Sequence, residues 1–562
     1  MKRILALLLI GAMFLTGCAT QPTTPAPTPE QTPAEQTPAE QTPVAEAPEG
    51  PIIFRYGIRD SWPDSMNPLL SALGISQTFY HDNMYETLIG LDAELNMEAR
   101  LAESWETSED GLTWTFHLRK DVKWHDGEEF DADDVVYSYQ VNKDLELPRF
   151  FASVKDFTEV KKVDDYTVQL VTAEPKANIM DAMIDLVPEH IFSQYKTKDD
   201  MLAFANESPI GTGAFIFVED AKDGFVRYKA NDDYWNGRPV IDELVYVYFS
   251  NADTLIQALE KGEIDFCGVG AAQQDYVKGL ANITMHYFDS NAFNELGFNC
   301  WDDPASKGNP LMRDVKIRNA IGYAIDYDKI VDYAMGGLAS KQAQLLPEVT
   351  GKWSWKVPDD IRVDYDPEKA KQILEEAGYS DRDGDGIRED ASGNKLEFRM
   401  SIIESDYRDC ALVVEQSLKD VGIKTNIEFM DTGRLSDIIY SQDFDTDMYM
   451  WGWYARYSDP SYILSAMTTD QIGNRSDCFY SNPEYDQLYV QQTKTIDMEE
   501  RVKIVHKMQE IIYRDSPYLI LYNAKRINAY NNERWENFVE YPAFGGGNLF
   551  NYYSKLQVRP KQ

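Results

Sequence analysis

Basic residues, histidines and cysteines are all scarce in this chain of 562 residues. There are 54 lysines and arginines against 94 acidic residues, which gives a formal net charge of −40. Because a nucleic-acid backbone is bound by a basic surface, this balance excludes DNA and RNA as partners. The 6 histidines and 5 cysteines show no CxxC, HExxH or other metal spacing. The cysteines beyond the N-terminal segment are expected to be free buried thiols, with disulfides as the alternative. A GxSxG elbow, a P-loop and a paired-glycine nucleotide fingerprint are also missing, so the sequence does not favour an enzyme.

Outside its first residues the chain has no long apolar run, whereas a membrane-spanning helix needs about 20 consecutive apolar residues. Lys2 and Arg3 precede an almost wholly apolar run from Ile4 to Leu15, which predicts a secretory signal over residues 1–17. The sequence Leu15-Thr16-Gly17-Cys18 resembles the bacterial lipobox, which implies cleavage before Cys18 and lipidation of its thiol. The lipid would anchor the protein to the cell membrane, facing the extracellular side or the periplasm. The alternative is an ordinary signal peptide that ends in Cys.

Residues 18–50 are expected to form a tether behind the lipid. The pentapeptide Gln31–Glu35 recurs at Gln36–Glu40, and proline and threonine are frequent throughout. Such a composition does not form a packed core and stays extended.

From Pro51 onward the chain alternates between strand and helix patterns. Strands are predicted at Ile52–Ile58, Thr113–Leu118, Thr167–Val171, Phe225–Lys229 and Glu243–Phe249. One helix is predicted from the cap Asp366 to Gly378, and another from Asp314 to Met335. The body is therefore an α/β protein.

A block of about 40 residues carries a specific resemblance. It contains Leu101-Ala102-Glu103-Ser104-Trp105, Asp110-Gly111-Leu112-Thr113-Trp114, Trp124-His125-Asp126-Gly127 and Asp133-Asp134-Val135-Val136-Tyr137. Further motifs follow in order, namely Ile210-Gly211-Thr212-Gly213, Asp233-Tyr234-Trp235-Asn236-Gly237, Gly262-Glu263-Ile264-Asp265, Leu296-Gly297-Phe298-Asn299 and Trp451-Gly452-Trp453 with Asp459-Pro460. Together they resemble the family 5 extracellular solute-binding proteins, over about residues 52–555. These are the oligopeptide- and dipeptide-type receptors of ABC importers.

The resemblance implies a two-lobed periplasmic-binding-protein-like fold of class II, with an extra subdomain in lobe I. Lobe I would comprise residues 51–297 and 520–562, with the subdomain at about 96–205. Lobe II would comprise residues 298–519. The two lobes would close over a ligand by bending at their hinge strands.

The resemblance also implies a function. The protein would capture a small solute between its lobes and deliver it to an ABC permease and ATPase complex, as a monomer without catalytic residues or a required cofactor. Peptide is the commonest ligand class in the family, so an oligopeptide is the expected ligand. An oligosaccharide or anionic ligand, or a sensory receptor of the same fold, is the alternative.

Five residues are the candidates for contact with the ligand. Arg456 stands where the family's peptide binders carry an Asp for the peptide amine, and a guanidinium favours an anion instead. Asp459 remains a candidate amine partner. The aromatic candidates are Trp62, Trp453 and Tyr457, while Trp451 is expected in the core. The alternatives are a surface ion pair for Arg456 and core packing for the aromatic residues.

One metal motif is present. The segment Asp381-Arg382-Asp383-Gly384-Asp385-Gly386-Ile387 matches the start of an EF-hand loop. The Glu expected at its twelfth position is replaced by Ser392, and Glu389 or Asp390 would substitute. The pattern predicts either a structural Ca²⁺ site with ligands from Asp381, Asp383, Asp385, Ile387 and Glu389, or a solvated acidic hairpin.

Overall fold

The computed structural model describes residues 50–59, 65–70, 81–222, 224–442, 444–456, 459–541 and 549–561. The strands in these ranges are β1 (Ile53–Ile58), β2 (Ile89–Leu91), β3 (Met97–Ala99), β4 (Ala102–Thr107), β5 (Thr113–Leu118), β6 (Phe157–Asp164), β7 (Thr167–Thr172), β8 (Phe215–Ala221), β9 (Phe225–Ala230), β10 (Glu243–Tyr248), β11 (Phe266–Gly268), β12 (Ile283–Asp289), β13 (Ala292–Phe298), β14 (Ala339–Ser340), β15 (Glu397–Ile403), β16 (Lys424–Met430), β17 (Met448–Tyr454), β18 (Tyr518–Asn531), β19 (Trp535–Glu536) and β20 (Arg559–Pro560). The five predicted strands are confirmed as β1, β5, β7, β9 and β10 to within one residue at each end.

The helices lie between the strands through most of the chain. They are α1 (Asp82–Met84), α2 (Ala132–Asp144), α3 (Phe151–Val154), α4 (Glu189–Phe192), α5 (Lys198–Ala203), α6 (Ala252–Lys261), α7 (Gln274–Lys278), α8 (Val315–Ala324), α9 (Tyr327–Lys329), α10 (Pro367–Glu376), α11 (Glu404–Lys419), α12 (Thr432–Ile439), α13 (Ser461–Ser465), α14 (Pro483–Lys494), α15 (Met498–Asp515) and α16 (Tyr552–Gln557). Within the described ranges, no helix is both long and apolar enough to cross a membrane.

The predicted helix after Asp366 is confirmed as α10. The Asp366 side chain accepts a hydrogen bond from the Lys369 amide at 3.0 Å, and Pro367 occupies the first helical position. Gly378 follows the helix with a φ of +95°, a conformation that glycine adopts without steric cost. The sequence signals at both ends of this helix therefore work as predicted.

The single helix predicted from Asp314 to Met335 is wrong. The helix α8 ends at Ala324, because Ile325 takes an extended conformation with ψ at 127°. The side chain of Asp326 then accepts a hydrogen bond from the Lys329 amide at 2.9 Å and begins the separate helix α9. An internal Asp is a good helix N-cap, and here that local preference interrupts the apolar periodicity.

A large mixed sheet connects most of the chain. It contains 12 strands, ordered β16-β15-β17-β13-β18-β11-β1-β10-β9-β8, with β12 and β14 also paired to β18. Strand β18 is the link, because its first residues pair with β13 and its last residues pair with β11 and β12. A smaller antiparallel sheet, β4-β5-β7-β6, stands apart from it.

The buried apolar side chains form separate clusters along the chain. One cluster draws on residues 54–266 and 535–558, at the β1 and β10 side of the large sheet. A second lies within residues 88–186, around the small sheet. Two more lie within residues 293–522. The candidate site described below lies beside the two clusters within residues 293–522.

Two glycines permit a close approach between backbones. Gly211 and Gly213 lie in the loop just before β8. A Cβ at Gly211 would lie 1.9 Å from the carbonyl oxygen of Met84, and one at Gly213 would lie 2.6 Å from that of Asn83. The glycines are therefore needed because this loop packs directly on the backbone of α1, where any side chain would collide.

Candidate functional site

The candidate site is built on β17, whose sequence Met448–Tyr454 is rich in aromatic residues. The strand lies between β13 and β15, and it pairs Glu295 with Trp451 and Phe293 with Trp453. The side chain of Trp453 is buried, whereas that of Trp451 is only partly buried and that of Tyr454 is exposed. Trp451, which was expected in the core, is thus only partly buried and packs against two of the apolar clusters.

A cavity of about 400 Å³ opens beside this strand. Aromatic rings and polar groups line it together, which suits a ligand that has both apolar and polar parts. Its lining residues are Tyr440, Trp451, Gly452, Trp453, Tyr454, Tyr462, Asn474 and Arg475.

Tyr462, at the start of α13, is the centre of the aromatic and cationic groups of the cavity. Its ring stacks on that of Tyr454, with centroids 5.7 Å apart and planes 25° apart. The guanidinium carbon of Arg456 lies 4.6 Å from the centre of the Tyr462 ring, and that of Arg475 lies 4.8 Å from it. Both arginines are partly exposed. Two cations and two phenol rings therefore stand together at the cavity.

Trp453, a predicted ligand contact, takes part in an internal hydrogen bond. Its exposed fraction is 8%, and its indole nitrogen donates to the Asp477 carboxylate at 2.9 Å. Asp477 also accepts a hydrogen bond from the Tyr518 hydroxyl. Burial raises the pKa of Asp477 to about 6. Trp453 thus forms the inner wall of the cavity rather than an exposed platform.

Asp459, the candidate amine partner, is already bound within the protein. Its carboxylate forms a buried ion pair with Arg501, with Nη1 and Oδ2 2.6 Å apart and Nη2 and Oδ1 2.8 Å apart. Its Oδ1 also accepts the Ser461 amide at 2.9 Å, at the start of α13. A ligand amine at Asp459 would therefore have to compete with a guanidinium that is itself buried.

A segment of the chain that precedes α4 packs on this region. The carbonyl of Ala177 accepts a hydrogen bond from Arg501 Nη1 at 3.1 Å, and the amide of Ala177 donates to the backbone carbonyl of Thr493 at 2.9 Å. Asp181 lies close enough to Asp459 and Arg456 for both charges to affect its pKa. Burial, followed by repulsion from Asp459, raises the pKa of Asp181 to about 7, while Arg456 opposes the shift.

The acidic loop predicted as a metal site forms a compact turn. Carboxylate oxygens of Asp381, Asp383 and Asp385 lie within 4.8 Å of one another, and all three residues are exposed. The ammonium group of Lys395 forms ion pairs with Asp383, at 2.8 Å, and with Asp385. Its hydrogen bonds to these carboxylates lower the pKa of Asp385.

The remaining two predicted metal ligands have other contacts. The amide of Ile387 donates to Asp385 Oδ1 at 2.9 Å. Glu389 is buried and accepts a hydrogen bond from the Arg382 amide at 2.7 Å, and its carboxylate lies outside the group formed by the three aspartates.

Three predicted site residues, Cys18, Trp62 and Tyr457, lie outside the described residues. The structure adds residues that sequence reasoning missed, chiefly Arg475, Tyr462 and Asp181. Arg475 follows Gly473 in a turn that carries no motif, and Asp181 is far from the cavity in sequence. The proximity of Tyr462 to Trp453 was the one available signal, since aromatic residues cluster in this stretch.

Comparisons with known proteins agree on one family. Residues 96–475 match the sequence profile of the family described as bacterial extracellular solute-binding proteins, family 5 Middle. The oligopeptide-binding protein AppA of Bacillus subtilis (strain 168) is 29% identical over 471 residues, which cover 82% of this chain and 84% of AppA. The dipeptide-binding protein of Escherichia coli (strain K12) is 29% identical over 493 residues, which cover 82% of this chain and 87% of that protein.

A solved structure extends the likeness to the fold. The structure of AppA from Bacillus subtilis in complex with a nonapeptide superimposes on this one with a TM-score of 0.68 and 26% identity. The superposition covers 91% of this chain and 100% of that chain.

Proposed function

The chain belongs to family 5 of the bacterial extracellular solute-binding proteins, which are transport receptors and not enzymes, and we propose that its solute is a peptide. The observation that carries this proposal is the match to an oligopeptide-binding and a dipeptide-binding relative, each over more than four-fifths of this chain. The aromatic cavity at β17 supports it, because rings such as Tyr454 and Trp451 suit apolar peptide side chains. The peptide would then be delivered to an ABC permease and ATPase.

Ligand identification tests this function directly. The protein is purified under native conditions, its mass is measured without denaturation, and the retained ligand is released and sequenced. We expect a peptide or a mixture of peptides. Recovery of oligosaccharide alone, or of no ligand together with no binding of any tripeptide from a mixed library, would contradict the proposal.

The role of the cavity is tested with Tyr454→Ala. Loss of this exposed ring removes the stacking surface beside Tyr462, so peptide affinity should fall by about tenfold. The matched control is Tyr333→Ala, which removes another exposed ring, 70% accessible, from the segment Ile330–Ala334. Equal peptide affinity of the two variants would show that this cavity is not part of the binding site.

A two-lobed division of the chain is part of the same proposal. Its support is the separation of the apolar clusters, one set within residues 54–266 and 535–558 and another within residues 293–522. The crossings would be β13 and the first part of β18, which run side by side. Small-angle scattering should then show a smaller radius of gyration once peptide is added. An unchanged radius at saturating peptide would argue against closure of two lobes.

Lipid anchoring at Cys18 is proposed from the N-terminal sequence alone. The protein would be held on the outside of the cell membrane, facing the extracellular side or the periplasm. Metabolic labelling with an alkyne fatty acid should mark the wild-type protein and leave Cys18→Ser unlabelled. Labelling of the Cys18→Ser variant would contradict the assignment.

Calcium binding at residues 381–387 is proposed from the EF-hand-like spacing. Its support is the convergence of three carboxylates, which calcium would bind after displacing the ammonium of Lys395. Calorimetric titration of the chelator-treated protein should give a saturable heat that Asp383→Asn abolishes and Lys395→Ala strengthens. If the wild-type protein gives no heat with Ca²⁺, residues 381–387 do not bind calcium.

A further inference from the structure

Arg475, which lines the cavity, and Arg456, which shares the Tyr462 ring with it, form no ion pair with a carboxylate among the described residues. Within the described ranges, no carboxylate oxygen lies within 4.0 Å of the guanidinium nitrogens of either arginine. Other arginines in the same half of the sequence do have acidic partners, for example Arg399 with Asp447 at 3.1 Å and Arg514 with Glu510 at 2.9 Å. The chain has a net charge of −40, so acids are plentiful elsewhere on it, yet none pairs with these two arginines within the described ranges.

Both arginines are held in place by contacts that leave their charge uncompensated. Each guanidinium lies over the Tyr462 ring, at 4.6 Å for Arg456 and 4.8 Å for Arg475. Arg475 Nη1 also donates to the Ser465 hydroxyl at 2.7 Å. A cation–π contact and a neutral hydroxyl orient a guanidinium without cancelling its charge. Two like charges at one ring repel each other until an anion lies between or beside them.

The nearby acids do not supply that anion. Asp459 is satisfied by Arg501, with which it forms a buried pair at 2.6 Å. Asp181 faces Arg456 and Asp459, and its Oδ1 is buried without a hydrogen-bond partner among the described residues. Burial raises its pKa to about 7, so that near neutrality it carries only part of a negative charge. The balance of charge at Arg456 and Arg475 is therefore positive.

We propose that Arg456 and Arg475 bind a carboxylate of the ligand, so that the captured solute places an anionic end, and not an ammonium, beside Tyr462. A guanidinium presents a planar pair of donors that matches a carboxylate, and partial removal from water strengthens the contact. Tyr454 and Trp451 then hold the group next to that carboxylate. This inference rests on the proposed function, because it names which end of the ligand this cavity receives.

Two matched tripeptide libraries test the inference. One library is acetylated at the amine and keeps its free carboxylate, and the other keeps its free amine and has an amidated C-terminus. Ligand is first removed from the protein by reversible unfolding, and binding is measured by native mass spectrometry and by calorimetry. The wild-type protein should retain the acetylated library in preference to the amidated one, by about tenfold or more.

Variants of the two arginines test whether these residues cause the preference for a free carboxylate. Arg456→Gln and Arg475→Gln should each weaken binding of the acetylated library by about tenfold and leave the amidated library unchanged. The control is Arg514→Gln, which removes an exposed arginine from the same half of the sequence and should change neither library. Arg456→Asp should reverse the preference, because it places a carboxylate where the family's peptide receptors carry one. Preference of the wild-type protein for the amidated library, or full binding of the acetylated library by both glutamine variants, would overturn the inference and leave peptide capture intact.

A second measurement separates this inference from the proposed function. Benzoate and benzamide have the same shape but differ in charge, and neither is a peptide. Tryptophan fluorescence of the ligand-free protein should respond saturably to benzoate and at least about tenfold more weakly to benzamide, with the benzoate response lost in Arg475→Gln. Failure of both libraries together with this benzoate response would refute peptide capture alone. Equal responses to benzoate and benzamide would refute the carboxylate site.

Discussion

The Nη1 atom of Arg501 lies 2.6 Å from Oδ2 of Asp459, and the side chains are only 1% and 2% exposed. The guanidinium also bonds to Gln492, Ser461 and the carbonyl of Ala177, so it joins α13, α14, α15 and the segment that precedes α4. Such a pair is costly to bury, yet removing one partner leaves a buried charge without compensation.

Arg501→Gln is therefore expected to destabilise the protein by about 3–5 kcal/mol, as measured by urea unfolding. Arg514→Gln is the control on the same helix, and loss of its exposed pair with Glu510 should cost no more than about 0.5 kcal/mol. The double change Arg501→Met with Asp459→Leu should recover most of the loss, since no charge remains buried. Similar stability of Arg501→Gln and Arg514→Gln would show that the pair contributes little.

The stability of the protein should decrease with rising pH through the ionisation of Asp181. Its pKa of about 7 in the folded protein exceeds the value near 3.9 that an unfolded chain gives, because the carboxyl is buried and faces Asp459. The stabilising contribution of the protonated form is thus complete below about pH 4 and is lost as the pH rises through 7.

Asp181→Asn keeps the uncharged shape at every pH, so it tests this dependence. Its advantage in thermal midpoint over the wild-type protein should grow between pH 4 and 7 and then level off. The exposed Asp121→Asn serves as the control and should show no such trend. An Asp181→Asn curve that runs parallel to the wild-type curve would contradict the assignment.

Glu295, on β13, carries a second buried carboxyl group. Neither of its carboxyl oxygens has a hydrogen-bond partner among the described residues. Burial, followed by the charge of Asp477, raises its pKa well above the usual range. Because the group is protonated in the folded protein and ionised in the unfolded chain, it stabilises less as the pH rises.

Glu295→Leu is expected to stabilise the protein at pH 8 by about 1–4 kcal/mol, because an apolar group replaces an unsatisfied polar one. The gain should be smaller at pH 5 than at pH 8. Chemical denaturation at the two pH values measures both quantities. A destabilised variant at pH 8 would show that Glu295 has a polar role that outweighs its burial.

Gly211→Ala tests the contact between the glycine loop and α1. A Cβ at this position would lie 1.9 Å from a backbone oxygen, which has little freedom to move, so the cost should be about 1–3 kcal/mol or more. Gly268→Ala is the control, because the nearest atom to its Cβ would be 4.0 Å away. A lower thermal unfolding midpoint for Gly268→Ala than for Gly211→Ala would contradict the packing explanation.

Much of the fold could be predicted because its signals are local. The strands show apolar runs, and α10 shows Asp366, Pro367 and Gly378 at its ends. The prediction of one long helix failed at Ile325, because the apolar period continues past the end of α8. Asp326 caps the next helix, α9, and so separates the two. Sequence periodicity thus located the start of this helix but not its end.

The candidate site was less accessible to prediction, for a different reason. The segment around Trp453 and Arg456 was found from its motif, whereas Arg475 and Asp181 join it only through the tertiary fold. The sequence also gave no sign that Asp459 is committed to Arg501, because the two residues are 42 positions apart. Pairings of this kind depend on how helices pack, and a single sequence does not encode them in a readable pattern.

The pairing of β13 with β18 has a consequence for how the gene can be engineered. Gly297 lies opposite Tyr518, so the long segment between these residues leaves and re-enters the rest of the molecule at one place. The two ends of the segment are neighbours although they are far apart in the sequence. An exchange of this segment for that of a relative would therefore have two junctions in the sequence but only one place in the large sheet at which both must be matched.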